Sequence, residues 1–162
     1  MREERGNIWD YLPSHAVVVS TNIGWKKDGT NPMGRGIAAE AARMFSALPL
    51  WYGTYCRAHG ILTGVVDWTP DMTAPDGPEI VLFSTKTLDP YQPHISWMQK
   101  SSLELIGISA RQLAELWQAT APRRPCALPL VGCQNGRLME EEDVVPILRK
   151  WLVSDEFVLV RS

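Results

Sequence analysis

Ala16-Val17-Val18-Val19 puts four apolar side chains on consecutive positions, three of them β-branched. A strand with one wet face alternates apolar and polar residues, so an unalternating run must be covered on both faces. The chain supplies the cover: Ile37 to Phe45 is filled with Ala, Glu, Arg and Met, all good helix formers. Between strand and helix lies a loop from Asn22 to Gly36, punctuated by glycines at 24, 29, 34 and 36. Glycines 34 and 36 let backbone approach a ligand closely. The first amides of the helix that follows have no intrahelical partner and turn their partial positive charge toward the loop. Such a junction suits an anion, although an ordinary strand-to-helix turn has the same signature.

Gly34-Arg35-Gly36-Ile37-Ala38-Ala39 also satisfies the G-x-G-x-x-A dinucleotide fingerprint. That fingerprint needs its first glycine in the tight turn directly after the strand. Here about a dozen residues intervene, which disfavours a Rossmann site.

Read onward, the chain predicts a turn or short strand at Gly6 to Trp9, a buried strand at Ala16 to Ser20 and a helix at Ile37 to Ala47, broken by Leu48-Pro49. A second helix is expected over Leu50 to Ala58, closed by Gly60. Ile61 to Trp68 and Ile80 to Ser84 read as strands joined by an exposed hairpin-like loop at Thr69 to Gly77. Thr87 to His94, with two prolines, is irregular; Ile95 to Ala119 is a long helix with a bend at Gly107. Cys126 to Val131 is a strand, Gly132 to Gly136 a second glycine loop, Glu140 to Leu152 a helix with an acidic first turn, and Phe157 to Val160 the last strand. Alternating strands and helices imply an α/β sandwich around a mixed, largely parallel sheet, one domain over 1–162.

A net charge of −2 disfavours a general nucleic-acid or membrane surface, so any polyanion is recognised locally. Three widely spaced cysteines suggest neither a disulfide framework nor a zinc site, and a reducing cytoplasm fits them. The start, Met1-Arg2-Glu3-Glu4-Arg5, leads into no apolar signal segment, and no stretch has the length of a membrane span; export and insertion are not expected.

Ligands of open α/β sheets bind beyond the carboxyl ends of the strands. Three features lie there: the Asn22 to Gly36 loop, Lys86 after Ile80-Val81-Leu82-Phe83-Ser84, and Gly132-Cys133-Gln134-Asn135-Gly136 after Ala127 to Val131. Two glycine loops facing each other suit a diphosphate held by backbone amides. A lysine at a strand end is commonly solvated; placed between such loops, Lys86 becomes a candidate for charge stabilisation or, if desolvated, for an amine nucleophile attacking an anomeric carbon. Cys133 has no evident partner base among the scattered histidines and reads as a small packing residue.

Taken together, these residues resemble the macro domains, which bind ADP-ribose. Gly6-Asn7-Ile8 is similar to the family's opening G-[DN]-[IL], Met33-Gly34-Arg35-Gly36-Ile37-Ala38 to its M-G-x-G-I-A phosphate loop, and Leu128 to Leu138 to its L-P-x-x-G-C-G-N-G-G-L segment. Phe83-Ser84-Thr85-Lys86 resembles the F-P-T-K or L-I-T-K of one branch, which holds the DarG-type antitoxins that remove ADP-ribose from DNA and the terminal ADP-ribose protein glycohydrolase.

The resemblance implies a three-layer α/β/α macro-domain fold that needs no cofactor or metal. It implies a partner that is ADP-ribose or an ADP-ribosylated macromolecule, DNA among the options, bound by a monomer. Asn7 would lie by adenine, Ile8 among the ADP-ribose contacts, and Asn22 by the distal ribose. Amides around Met33, Gly34, Arg35, Gly36 and Ile37 and around Gly132, Cys133, Gln134, Asn135 and Gly136 would hold the diphosphate. Thr85 would join the ligand contacts, and Lys86 would act on the distal ribose carbon.

The chain departs from the family in five places. An insertion at Gly24 to Thr30 would cover the distal ribose or reach toward the modified macromolecule. Gln134 and Arg137 replace glycines, Arg137 adding charge near the phosphates. Gly136 stands where the glycohydrolase has its loop acid, so acid-assisted release is not supported. With the sequence ending at Ser162, no aromatic lid on adenine is expected. The reading is an ADP-ribosyl hydrolase using Lys86, with a non-catalytic ADP-ribose reader and an ADP-ribose 1″-phosphate phosphatase as alternatives.

Overall fold

The unalternating apolar run becomes the centre of a six-stranded sheet. The computed structural model describes residues 1–60, 64–88, 100–133 and 135–162. Its elements are β1 (Arg2–Arg5), β2 (Ala16–Ile23), α1 (Gly36–Met44), α2 (Leu48–His59), β3 (Val65–Trp68), β4 (Ile80–Thr87), α3 (Leu103–Ala119), β5 (Cys126–Leu128), α4 (Val145–Trp151) and β6 (Phe157–Arg161). The strands run in the order β1-β6-β5-β2-β4-β3, and every neighbouring pair is parallel except the β3–β4 hairpin.

Residues of β2 point alternately to two apolar clusters. Val17, Val19 and Ile23 pack with Ala41 of α1 and Leu48, Tyr52 and Cys56 of α2. Ala16 and Val18 face Ile106, Ala110, Leu113 and Trp117 of α3 and Leu148 of α4. Both faces of the strand are therefore dry, as its composition requires, and each fully buried Val or Leu contributes about 1.5–3 kcal/mol relative to exposure. The parallel strands bring the carboxyl ends of β2, β4, β5 and β6 to one side of the sheet.

Several expectations change in detail. β1 is a strand that its four charges conceal: it lies at the sheet edge, pairs only with β6, and its Glu3 meets Arg149 and Arg161 in ion pairs. Charged residues commonly mark sheet edges, where they discourage pairing with another chain. Gly6 to Trp9 enters a single 3-10 turn, Ile8–Tyr11. α1 already ends at Met44, short of Ala47, and Leu48-Pro49 begins α2, because proline in a first turn gives up an amide that has no helical partner.

Within the described residues the long helix starts at Leu103, where the Leu105 amide donates to Ser102 Oγ (3.2 Å), and it runs through Gly107 without interruption. The 95–99 part of that expectation, like 61–63 of the third strand and 89–94 of the irregular segment, lies outside the described residues. β5 stops at Leu128 instead of Val131, since Pro129 has no amide for the ladder. The expected Glu140 to Leu152 helix is split into a π-helical turn, Glu140–Val144, and α4. Pro146 cannot donate to the carbonyl four residues back, so the ladder is interrupted there.

Candidate functional site

At the carboxyl ends of the parallel strands is a cleft of about 920 Å³, a size that suits a small-molecule ligand. Its first wall is the loop entering α1. Arg35, at the N-cap, is extended and places no side-chain cap on the helix, and the first turn holds no acid, so the leading amides of α1 are left for a ligand. Gly36 takes φ +57°, a left-handed conformation that favours glycine. A β-carbon there would lie 3.5 Å from Asn135 Nδ2, so the two glycine loops meet at this point. Gly34 has open space around it and Met33 is buried beneath.

The second wall turns on Gly132 (φ +77°), whose carbonyl accepts from the Leu138 amide at 3.0 Å. The Gly136 carbonyl accepts from the Ser101 amide at 2.8 Å, and a β-carbon at 136 would fall 2.3 Å from the Gly132 oxygen and 2.2 Å from Ser101 Oγ. This loop has no room for a side chain at 136. Arg137 takes φ +61° and is the one non-glycine residue in the left-handed region among the described residues. It thus keeps the backbone conformation that a glycine would adopt.

Lys86 lies on the cleft floor, 7% exposed. The register of β2 and β4 shifts there: Thr21 pairs with Ser84 but Asn22 with Lys86, leaving Thr85 as the extra residue of a bulge. Bulges re-aim side chains, often beside active sites. Burial pulls the Lys86 ammonium below the usual lysine range, and the nearby Arg137 charge pulls it further the same way. Desolvated amines of this kind hold more neutral, nucleophilic form near neutrality.

The inserted segment is an ordered tight turn. The Lys26 amide donates to the Thr30 carbonyl (2.8 Å), the Gly29 amide to Lys26 (2.9 Å), and Asp28 Oδ1 accepts from both the Thr30 amide (3.0 Å) and hydroxyl (2.7 Å). Asn31, 1% exposed, ties its far end down: Nδ2 donates to the carbonyls of Asn22 (2.7 Å) and Gly24 (2.9 Å). Lys26 and Thr30 line the cleft while Trp25 is 41% exposed.

The structure gathers nearly all the sequence-predicted residues. Asn7, Ile8, Asn22, Met33, Gly34, Arg35, Gly36, Ile37, Thr85, Lys86, Gly132, Cys133, Asn135 and Gly136 line this one cleft. Gln134 lies outside the described residues. Arg137 is exposed and is not among the residues lining the cleft, and its charge reaches the site at Lys86. Asn7 Oδ1 accepts from the Trp9 amide at 3.0 Å, capping the 3-10 turn; a carbonyl oxygen keeps a second lone pair that can accept from a ligand. Cys133 donates its thiol to the Val131 carbonyl (3.6 Å), and burial, then Glu140 and Asp143, push it up to about 11, which disfavours the thiolate.

Sequence reasoning placed the 24–30 insertion at the site without singling out Lys26 or Thr30, and it missed Asn31, Ser101, Glu140 and Arg161, which also line the cleft. The Asp28-Gly29-Thr30 turn signal was the available pointer to the first two. Ser101 had none, since it lies outside both glycine loops in the sequence and meets the Gly136 carbonyl only in the fold. Among the described residues no three His, Cys, Asp or Glu side chains gather as metal ligands, and no helix is long and apolar enough to cross a membrane. The arrangement offers backbone amides for an anion and a desolvated amine beside them.

No family model matches the chain, and no curated protein does. Solved structures do. The macrodomain of Thermus aquaticus DarG superposes with a TM-score of 0.75 at 24% identity, covering 99% of this chain and 97% of that one. The macrodomain of Mycobacterium tuberculosis DarG gives 0.72 at 22% identity over 99% and 97%. Thermosipho africanus DarTG, solved in complex with ADP-ribose, gives 0.75 at 18% identity; 98% of this chain matches 41% of that longer one.

Proposed function

We propose that this chain, which has the fold of the DarG macrodomains, binds ADP-ribose in the cleft and releases it from a modified macromolecule with Lys86. The observation that carries the reading is a buried lysine, re-aimed by a bulge, beside two amide-lined loops that meet at Gly36 and Asn135. The loops suit a diphosphate, each amide bond to a charged oxygen contributing about 1.5–3 kcal/mol. A neighbour solved with ADP-ribose supports that choice of ligand.

In the proposed reaction the neutral Lys86 amine attacks the anomeric carbon of the distal ribose. The bond to the macromolecule's nitrogen or oxygen breaks, its electron pair leaving with that atom, which takes the proton shed by the new ammonium. Water then displaces the lysine at the same carbon, restoring the amine and freeing ADP-ribose. The lowered lysine pKa raises the fraction of amine available for the first step.

The test is release of ADP-ribose from modified DNA and from modified glutamate by wild type and by Lys86→Ala. Release that is lost in the variant, with ADP-ribose affinity retained, is the expected result. Tight binding with release from neither substrate would leave a reader module. One feature favours that second reading: the second loop has neither an acid nor room for one at Gly136. The three free thiols keep a reducing cytoplasm as the proposed setting.

A further inference from the structure

The bulge that aims Lys86 does not stand on strand pairing alone. Thr21 and Ser84 are the last partners in register before the shift, and one side chain bridges both. Tyr52 of α2, fully buried, accepts from Thr21 Oγ1 at 3.2 Å, and its hydroxyl lies 3.1 Å from Ser84 Oγ. From the opposite face α3 holds the same stretch: Ser109 Oγ donates to the Ser84 carbonyl (2.8 Å) and the Ser102 amide to the Thr85 carbonyl (2.8 Å), which the bulge has freed. The Leu88 amide closes the segment on Ile23 (2.8 Å).

The same turn of α2 also seats the cleft's other wall. A β-carbon on Gly53 would lie 2.0 Å from the Gly29 carbonyl oxygen and 2.7 Å from the Asn31 amide nitrogen. Adjacent residues of one helical turn thus contact the Lys86-bearing strand pair and the inserted loop.

We propose that Tyr52 is a positioning residue for Lys86, its hydroxyl fixing the Thr21–Ser84 pair so that the bulge falls at Thr85 and the lysine is delivered to the cleft floor. The alternative is a core tyrosine whose hydroxyl is merely satisfied. The two differ in what Tyr52→Phe does, since that change keeps the ring and removes both bonds. Tyr52 does not line the cleft, so ADP-ribose affinity by calorimetry should stay within about twofold. The rate of ADP-ribose release should fall about tenfold or more, because a misplaced nucleophile loses near-attack geometry.

This inference rests on the Lys86 reading, and a second readout separates their failures. The Lys86 13Cε resonance, identified by its loss in Lys86→Ala, should titrate at higher pH in Tyr52→Phe as the amine gains solvent, with the charge of Arg137 unchanged beside it. If wild type releases nothing, the hydrolase reading fails while this titration still tests the positioning. A wild-type titration in Tyr52→Phe overturns the proposal, as does a fall of affinity and rate in equal proportion. Should that variant not fold, Ser84→Ala removes one of the two bonds outside the cleft lining and must move the rate and the titration in the same directions.

Discussion

Arg137 holds a left-handed backbone conformation that costs a side chain about 1–2 kcal/mol relative to glycine. Arg137→Gly should therefore raise stability by about 1 kcal/mol in denaturant unfolding. It should also move the Lys86 titration upward, since the guanidinium is one of the two causes of its depression. An unchanged Lys86 would show that the charge does not reach it. Lys86 itself carries the opposite trade. Its folded pKa lies below its unfolded one, so between the two the unfolded chain holds a proton that the folded chain has shed, and stability rises with pH there. Below that window the full cost of burying an ammonium is present. Lys86→Met should be more stable than wild type at pH 7, with an advantage that shrinks as pH climbs toward the ordinary lysine range. Thermal unfolding of both proteins at several pH values would show it, and a widening gap would refute it. A stabilised but inactive variant is the outcome expected of a residue retained for chemistry.

At the scale of elements, the inserted loop and α2 are one unit. Gly53 in mid-helix reads from sequence as a weak point, since glycine there costs about 1 kcal/mol against alanine. Packing inverts that judgement: the backbone of 29–31 occupies the space where a side chain would be. Gly53→Ala should destabilise the protein by about 1–3 kcal/mol through overpacking, despite its better helix propensity. It should also weaken ADP-ribose binding, because Asn31 is displaced with the loop; a neutral or stabilising result would mean that the loop is not seated as described. The elements least legible beforehand share a cause. Strand β1 is four charged residues whose extended state is set by β6, and the π-helical turn exists because Pro146 stops the ladder of a segment whose periodicity is otherwise helical. Partners distant in sequence, or a single missing amide, outweighed local pattern.

Across the whole molecule the cleft is a property of the assembled sheet, so occupying it should stabilise everything that assembles it. ADP-ribose at a hundred times its dissociation constant should raise unfolding free energy by about 2.7 kcal/mol. Gly36→Glu should fold but gain nothing from the ligand, since a carboxylate would sit where the two loops meet and a phosphate is expected. A thermal shift equal to wild type would put the pocket elsewhere. Much of this was legible from sequence because it rests on local physics. Apolar runs require burial on both faces, glycines mark where backbone must turn or be approached, and a strand running into a helix leaves amides unpaired. Those rules located both loops, Lys86 and the layered fold. What only the tertiary structure decided depends on residues far apart in the chain: that Thr85 bulges and so buries Lys86, that Tyr52 bridges two strands from a helix, that Lys26 and Asn31 face the cleft while Trp25 does not, and that Gly136 admits no side chain. Side-chain direction and room are set by neighbours that the chain order does not specify, and the chemistry of this site depends on both.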